Sequence, residues 1–127
     1  MKVHFAMIAA VCLPLCASAD PLEGLWQTES DAGAYAHVAI TPCGANFCGT
    51  IQSAFKDNAS YASPNLGKTI VIDMAPQSGS TYKGKVWRPS NDKTYLGKIA
   101  LDGDMMKLSG CVAGGLICSK QTWKRVE

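Results

Sequence analysis

The sequence contains little histidine and few charged side chains, and these shortages exclude several classes of protein. It has two histidines, His4 and His37, and only 17% of its 127 residues are charged. A multi-histidine metal site would therefore lack ligands, and a histidine-based catalytic triad would need all its parts around His37, since His4 lies at the extreme N-terminus. With 12 basic and 10 acidic residues, the chain also lacks the strong positive charge that favours nucleic acids or membrane surfaces.

Long hydrophobic runs are also missing, except for one near the N-terminus. Residues 5–16 are mostly apolar but too few to span a bilayer as a helix. They follow the basic Lys2 and precede Ala17-Ser18-Ala19, a small-residue motif typical of signal-peptide cleavage. The pattern predicts a secretory signal peptide over residues 1–19 and one mature domain over residues 20–127.

This leader has two alternative interpretations, each of which fits the residues less well. A buried N-terminal helix is disfavoured by Pro14, which interrupts helices. A lipoprotein anchored through Cys16 is disfavoured because bacterial lipoprotein signals place a small residue before the modified cysteine, and here that residue is Leu15. We therefore expect a periplasmic or secreted protein with no transmembrane segment.

Helical periodicity is absent, and apolar residues alternate along short segments separated by turn residues. Ile70, Ile72 and Met74 form one such alternating set, which predicts that all three point inward. A β-sandwich and a closed barrel both suit this pattern, but closure removes exposed strand edges. We predict an all-β fold, a small antiparallel up-and-down β-barrel of about eight strands, at residues 24–30, 35–42, 48–55, 69–75, 81–88, 94–101, 105–111 and 117–126.

Four cysteines follow the leader in two close pairs. Cys43 and Cys48 have four residues between them, and Cys111 and Cys118 have six. In an exported protein these spacings predict two local disulfides, each joining the strands of a hairpin. A zinc site would normally have tighter spacing, and neither pair is a redox C-x-x-C motif. We therefore expect no metal and no cofactor.

The two ends of the mature chain predict how the barrel closes. Gly24-Leu25-Trp26 opens the first strand, and Trp123 and Arg125 lie in the last one. If these strands pair, Trp26 lies near the floor of the barrel, where Arg125 can stack on it. Trp26, Trp123 and Arg125 are therefore predicted to be structural.

These same residues resemble known families. Gly24-x-Trp26 with a late Arg125 is similar to the calycin superfamily, which includes the lipocalins. Nearly the whole mature chain resembles the exported bacterial family called domain of unknown function 2147, DUF2147. The resemblance implies a small β-barrel and export, and it implies no catalytic residue. The matching segments are Ile40-Thr41-Pro42-Cys43-Gly44, Phe47-Cys48-Gly49-Thr50-Ile51, Tyr82-Lys83-Gly84-Lys85-Val86, Lys93-Thr94-Tyr95, Leu101-Asp102-Gly103-Asp104 and residues 118–126.

One departure from that family concerns residues 56–68. This segment is polar, shows no period and is shorter than the insertion that relatives often carry there. We predict a surface loop.

Candidate ligand-binding residues lie on two neighbouring strands. Tyr82, Gly84, Tyr95 and Gly97 are predicted to face the interior, where the glycines leave room for a ligand. Trp87 and Arg88 lie on a hairpin that also carries Lys83, Lys85 and Lys93. This basic hairpin suits an anionic head group at the rim, and an exposed Trp87 suits a protein partner.

Two functions remain open at this point. One is binding of a small apolar or amphipathic ligand inside the barrel. The other is a structural or interaction role in the cell envelope, with a packed barrel and a partner surface. A cavity lined by Tyr82 and Tyr95 would favour the first, and a filled barrel with an exposed Trp87 the second. We expect a monomer with no nucleic-acid partner and no enzymatic activity.

Overall fold

The structure is a computed structural model, and it describes residues 19–127. Residues 1–18 lie outside the described part, so the signal peptide stays a prediction. The described chain forms nine strands and one short 3-10 turn at Ala113–Gly115. The strands are β1 (Gly24–Gln27), β2 (Ala34–Cys43), β3 (Asn46–Lys56), β4 (Ala59–Ser60), β5 (Thr69–Pro76), β6 (Thr81–Arg88), β7 (Lys93–Asp102), β8 (Met105–Val112) and β9 (Ile117–Arg125).

Eight of these strands close into an antiparallel barrel, as predicted. Each of the eight strands pairs with the next one around the barrel. The first and last strands, β1 and β9, also pair, with Trp26 opposite Arg125 and Gln27 opposite Lys124. The remaining strand, β4, has two residues, lies within the predicted loop and pairs with β3. Within residues 19–127, no helix is long and apolar enough to cross a membrane.

Both predicted disulfides are present and lie at hairpins. Cys43–Cys48 joins β2 to β3 across the turn at Gly44, whose φ of 63° lies in the region that glycine adopts without strain. Cys111–Cys118 joins β8 to β9, where the two cysteines are direct cross-strand partners. The sequence interpretation was correct because residues at the ends of a hairpin already face each other.

One end of the barrel is filled with apolar side chains. Trp26 is fully buried there, and its indole N–H donates to the carbonyl oxygen of Leu22 at 2.9 Å. Arg125 covers the Trp26 ring, with its guanidinium carbon 4.3 Å from the ring centre. Arg125 also donates to the carbonyl oxygens of Pro21 and Glu23, so it ties the start of the domain to the last strand. The other fully buried side chains are Leu22, Val38, Ile40, Val71, Met74, Ile99, Met106 and Trp123.

Two register shifts in β5 make the predicted alternation wrong at Ile72. Ile72 pairs with Lys85 and therefore shares the outer face with that exposed side chain. The register with β3 shifts between Thr69 and Val71, so Ile70 is an extra residue, and both Ile70 and Val71 are buried. A second shift lies between Ile72 and Ala75, at Asp73, whose φ is 47°, and we call it the β5 bulge. An extra residue reverses the direction of the following side chains. Val71 and Met74 are therefore the fully buried residues of this strand.

Candidate functional site

The open end of the barrel contains a cavity of about 520 Å³. It lies between the first halves of β2, β7 and β9 and the last halves of β3, β6 and β8, away from the end that Trp26 fills. Its deepest wall is formed by side chains that are at most 6% exposed, namely Ile51, Ala54, Ile70, Leu108 and Trp123. The inner part of the cavity is therefore apolar.

The mouth of the cavity is polar. Glu29, Asp31 and Arg88 are exposed and border it, together with the uncharged polar side chains Ser63, Asn65, Ser119 and Gln121. Gln121 accepts a hydrogen bond from the Trp123 indole at 3.0 Å, so it links the mouth to the apolar wall. A pocket with an apolar interior and a few polar groups at its entrance suits a small amphipathic molecule.

One side of the mouth is a seam between β1 and β9. The two strands pair only at the closed end, and nearer the mouth the Thr122 amide donates to the Glu29 carboxylate at 2.8 Å. The β9 wall beyond this bond carries Ile117, which is 65% exposed, and the adjoining Leu116 is 87% exposed. Among the described residues, the start of β9 thus pairs with β8 but not with β1.

Three of the predicted binding residues border the cavity. Tyr95 is one of them, and its hydroxyl oxygen accepts a hydrogen bond from the Asn91 amide at 2.7 Å. Arg88 is the second and lies at the mouth. Trp87 also borders it, but it is half-buried rather than exposed. Its indole N–H donates to Asp92 at 2.8 Å, and the Lys68 ammonium lies 5.2 Å from the ring centre.

Tyr82 lies at the closed end instead. It is 6% exposed, and its hydroxyl donates to the Asp20 carboxylate at 2.5 Å. Burial raises the pKa of Tyr82, and the hydrogen bond to Asp20 and the negative charge of that carboxylate raise it further. Tyr82 therefore anchors the start of the domain to β6 and does not line the cavity.

The predicted role of Gly84 and Gly97 in making room for a ligand also needs correction. A Cβ atom on Gly84 would lie 2.5 Å from the carbonyl oxygen of Ile72 in the β5 bulge. A Cβ on Gly97 would lie 2.5 Å from the terminal methyl of Met74. The space over both glycines is already filled, and neither residue borders the described cavity.

Gly110 is the glycine that does border the cavity. A Cβ there would lie 3.6 Å from the Cβ of Tyr95, an ordinary contact. Sequence reasoning missed it, although Gly110 has the same inward period as Leu108 on β8. The alternation of side chains predicts that Gly110 faces the interior. It does not show which half of a strand lies in the packed end of the barrel and which half borders the cavity.

A group of potential metal ligands occurs beside the first disulfide. Cys43 and Cys48 have their sulfur atoms 3.8 and 3.9 Å from a carboxylate oxygen of Asp73. Both sulfurs are bonded to each other, and only a thiolate is an effective ligand. The group therefore does not form a metal centre in this structure.

Comparison with known proteins agrees with the barrel geometry. Residues 24–125 match the model of DUF2147, described as "uncharacterized protein conserved in bacteria". The chain belongs to the DUF2147 family. Among solved structures it is similar to protein HP1028 from the human pathogen Helicobacter pylori, described as belonging to the lipocalin family, with a TM-score of 0.66 and 20% identity over 84% of this chain and 83% of that one. No curated protein matches the sequence. The likeness to HP1028 shows that this DUF2147 protein has a lipocalin-like fold.

Proposed function

We propose that this DUF2147 protein binds a small amphipathic ligand in the open end of its barrel. The observation that carries the proposal is the cavity of about 520 Å³, with a buried apolar wall and a polar mouth. This volume lies within the range of about 300–1,000 Å³ that is usual for small-molecule sites. The apolar part of the ligand packs against Trp123 and Leu108, and its polar head stays near Arg88.

Binding rather than catalysis is supported by the side chains around the cavity. The described residues that border it include no histidine, and their one cysteine, Cys118, is held in a disulfide. The charged residues that border the cavity, Glu29, Asp31 and Arg88, are exposed at its mouth, whereas Gln121 reaches the apolar wall. The protein is therefore proposed to be a ligand-binding protein and not an enzyme.

The proposed compartment rests on the cysteines and on the predicted leader. Both disulfides suggest an oxidising environment, such as the bacterial periplasm or the outside of the cell. The predicted signal peptide, cleaved before Asp20, would direct the chain there. A structural role in the envelope has less support, because the barrel is not filled at both ends and Trp87 is half-buried and hydrogen-bonded.

Titration with the apolar fluorophore N-phenyl-1-naphthylamine tests the proposal. We expect one saturable site, with quenching of the emission of Trp123, whose side chain lies at the cavity wall. Gly110→Val should weaken binding roughly tenfold or more, equivalent to about 1.4 kcal/mol, because its side chain enters the cavity. The melting temperature should change little, since the nearest atom at that position is at an ordinary contact distance.

Ala100→Val serves as the matched control, because Ala100 is exposed on the outer face of β7 and does not border this cavity. It should bind the fluorophore like the unaltered protein. Lack of saturable binding, or equal binding by the Gly110→Val protein, would contradict the proposal. Mass spectrometry of small molecules that co-purify from the periplasm would identify the natural ligand.

A further inference from the structure

The outer face of β6 to β9 carries a group of lysines that the cavity does not use. Lys83 is the direct cross-strand partner of Lys98, which in turn faces Ser109 on β8. Ser109 then pairs with Lys120 on β9, and Lys107 lies two residues before Ser109 on the same face. We call Lys83, Lys98, Lys107 and Lys120 the lysine cluster. They border an outer groove of about 320 Å³ that also includes Ser109.

The charges of the lysine cluster are not balanced by acidic side chains. Direct cross-strand partners have Cβ atoms about 4.5–5.5 Å apart, and like charges there destabilise a sheet. Within residues 19–127, one ion pair has a nitrogen–oxygen distance of 4.0 Å or less. It joins Arg125 to Asp104 at the closed end of the barrel and involves no residue of the lysine cluster. The Lys98 ammonium has a weak contact with the carbonyl oxygen of Gly115, at 3.5 Å. Four positive charges thus share one small surface.

The middle of this surface is shielded from water. Ser109 is only 9% exposed, although its strand position places it on the outer face between Lys98 and Lys120. The next row along β8 and β9 holds the Cys111–Cys118 disulfide, which ties the strands that carry Ser109 and Lys120. The backbone therefore holds the lysines around a hydroxyl group in a defined arrangement.

We infer that the lysine cluster binds a phosphate-bearing ligand. A phosphate group has several strong acceptor oxygens and more than one negative charge, so it can accept from three or four ammonium groups at once. A single carboxylate has fewer acceptor positions and one charge. The groove lies on the outer wall, opposite to the interior side chains, so this site is separate from the amphipathic-ligand cavity. The phosphate belongs either to a free compound or to a lipid head group.

Thermal unfolding with and without inorganic pyrophosphate tests this inference. Because a ligand that binds only the folded state stabilises it, pyrophosphate should raise the melting temperature. Calorimetric titration should show one site whose affinity falls roughly tenfold in Lys98→Gln and in Lys120→Gln, as expected when a charged hydrogen-bond donor is lost. Both variants should remain folded without pyrophosphate, because each removes a repulsion.

Lys56→Gln is the matched control. Lys56 is exposed at the end of β3 and does not border the groove, so its loss should not change pyrophosphate binding. Gly110→Val, which fills the cavity, should not change it either, and this separates the two sites. The inference is overturned if pyrophosphate does not bind, or if Lys56→Gln weakens binding as much as Lys98→Gln does.

A second arm distinguishes the two sources of phosphate. Vesicles of phosphatidylcholine with an equal amount of phosphatidic acid are compared with vesicles of phosphatidylcholine alone in a co-sedimentation assay. Binding to the acidic vesicles that is lost in Lys98→Gln supports a lipid head group as the ligand. Binding to pyrophosphate without vesicle binding supports a free phosphate compound. Acidic-vesicle binding that Lys98→Gln leaves intact would contradict a role for the cluster in it.

Discussion

At the scale of single residues, the closed end of the barrel depends on a few long-range contacts. Trp26 is held by the carbonyl oxygen of Leu22 on one side and covered by Arg125 on the other. Arg125 also pairs with Asp104 at 3.2 Å. The first and last strands are therefore joined by side chains as well as by backbone hydrogen bonds.

Replacing Trp26 tests this arrangement. We expect Trp26→Ala to lower the free energy of unfolding by about 3–5 kcal/mol, because it leaves a large cavity in a packed region. Trp87→Ala should cost less, since Trp87 is only half-buried. Urea unfolding followed by circular dichroism measures both. A nearly unchanged midpoint for Trp26→Ala would show that the β1–β9 closure does not depend on this side chain.

The hydrogen bond from Tyr82 to Asp20 predicts an effect of alkaline pH. Since burial and Asp20 raise the pKa of Tyr82, the folded protein keeps a proton that the unfolded chain loses above about pH 10. The stability that this group contributes is present below that pH and falls as the pH rises above it. Urea midpoints between about pH 9 and pH 11 should therefore fall less steeply in Tyr82→Phe.

Tyr61→Phe provides the comparison, because Tyr61 is 43% exposed. Its pH profile should follow that of the unaltered protein. If the two variants show the same slope above pH 10, the raised pKa of Tyr82 does not contribute to alkaline unfolding.

At the scale of elements, the β5 bulge determines how the neighbouring strands pack. The bulge brings the carbonyl oxygens of Ile72 and Asp73 against Gly84, and it directs Met74 over Gly97. β6 carries a glycine where the backbone of the bulge leaves no room for a Cβ, and the paired position on β7 is also a glycine, against the end of Met74. This arrangement packs one half of the barrel tightly and confines the open space to the other half.

Three alanine substitutions on adjacent strands should reveal this difference. Gly84→Ala should destabilise most, by about 1–3 kcal/mol, because the new Cβ meets backbone atoms that cannot move aside. Gly97→Ala should be milder, since its nearest contact is the flexible end of Met74. Gly110→Ala should be neutral or slightly stabilising. Thermal melting compares all three, and equal losses at Gly84 and Gly110 would contradict the role assigned to the bulge.

At the scale of the whole molecule, the barrel has one sealed end and one open end. The seal is made by the segment that begins at Asp20, whose backbone amide donates to Glu23 at 2.8 Å. Asp20 is also the first residue after the predicted cleavage site. The start of the mature chain would therefore be part of the folded barrel.

Intact mass of the exported protein tests this view. We expect a chain that starts at Asp20 and has lost four hydrogens to two disulfides, with no free thiol. Non-reducing peptide mapping should connect Cys43 to Cys48 and Cys111 to Cys118. A lipid-sized addition on Cys16, or four thiols that titrate after denaturation without reductant, would be incompatible with this maturation.

Much of the architecture could be predicted because its causes are local. Alternating apolar residues, turns such as Asp102-Gly103-Asp104 and close cysteine pairs depend on residues near one another in the chain. The pairing of Trp26 with Arg125 could also be predicted from the sequence, because the resemblance to calycins rests on both residues. For the binding site the outcome was mixed: Tyr95, Trp87 and Arg88 border the cavity, whereas Tyr82, Gly84 and Gly97 do not.

The sequence by itself therefore determined the strands, the hairpin disulfides and the closed barrel, because short-range patterns and two terminal motifs specify them. Only the tertiary structure decided which half of the barrel is open. The period of two in β5 gives no sign of two register shifts. The extra residue at Ile70 leaves Ile72 on the outer face, and the bulge at Asp73 turns Met74 back inward, over Gly97. The lysine cluster likewise arises from register, since strand pairing brings together lysines from four separate strands.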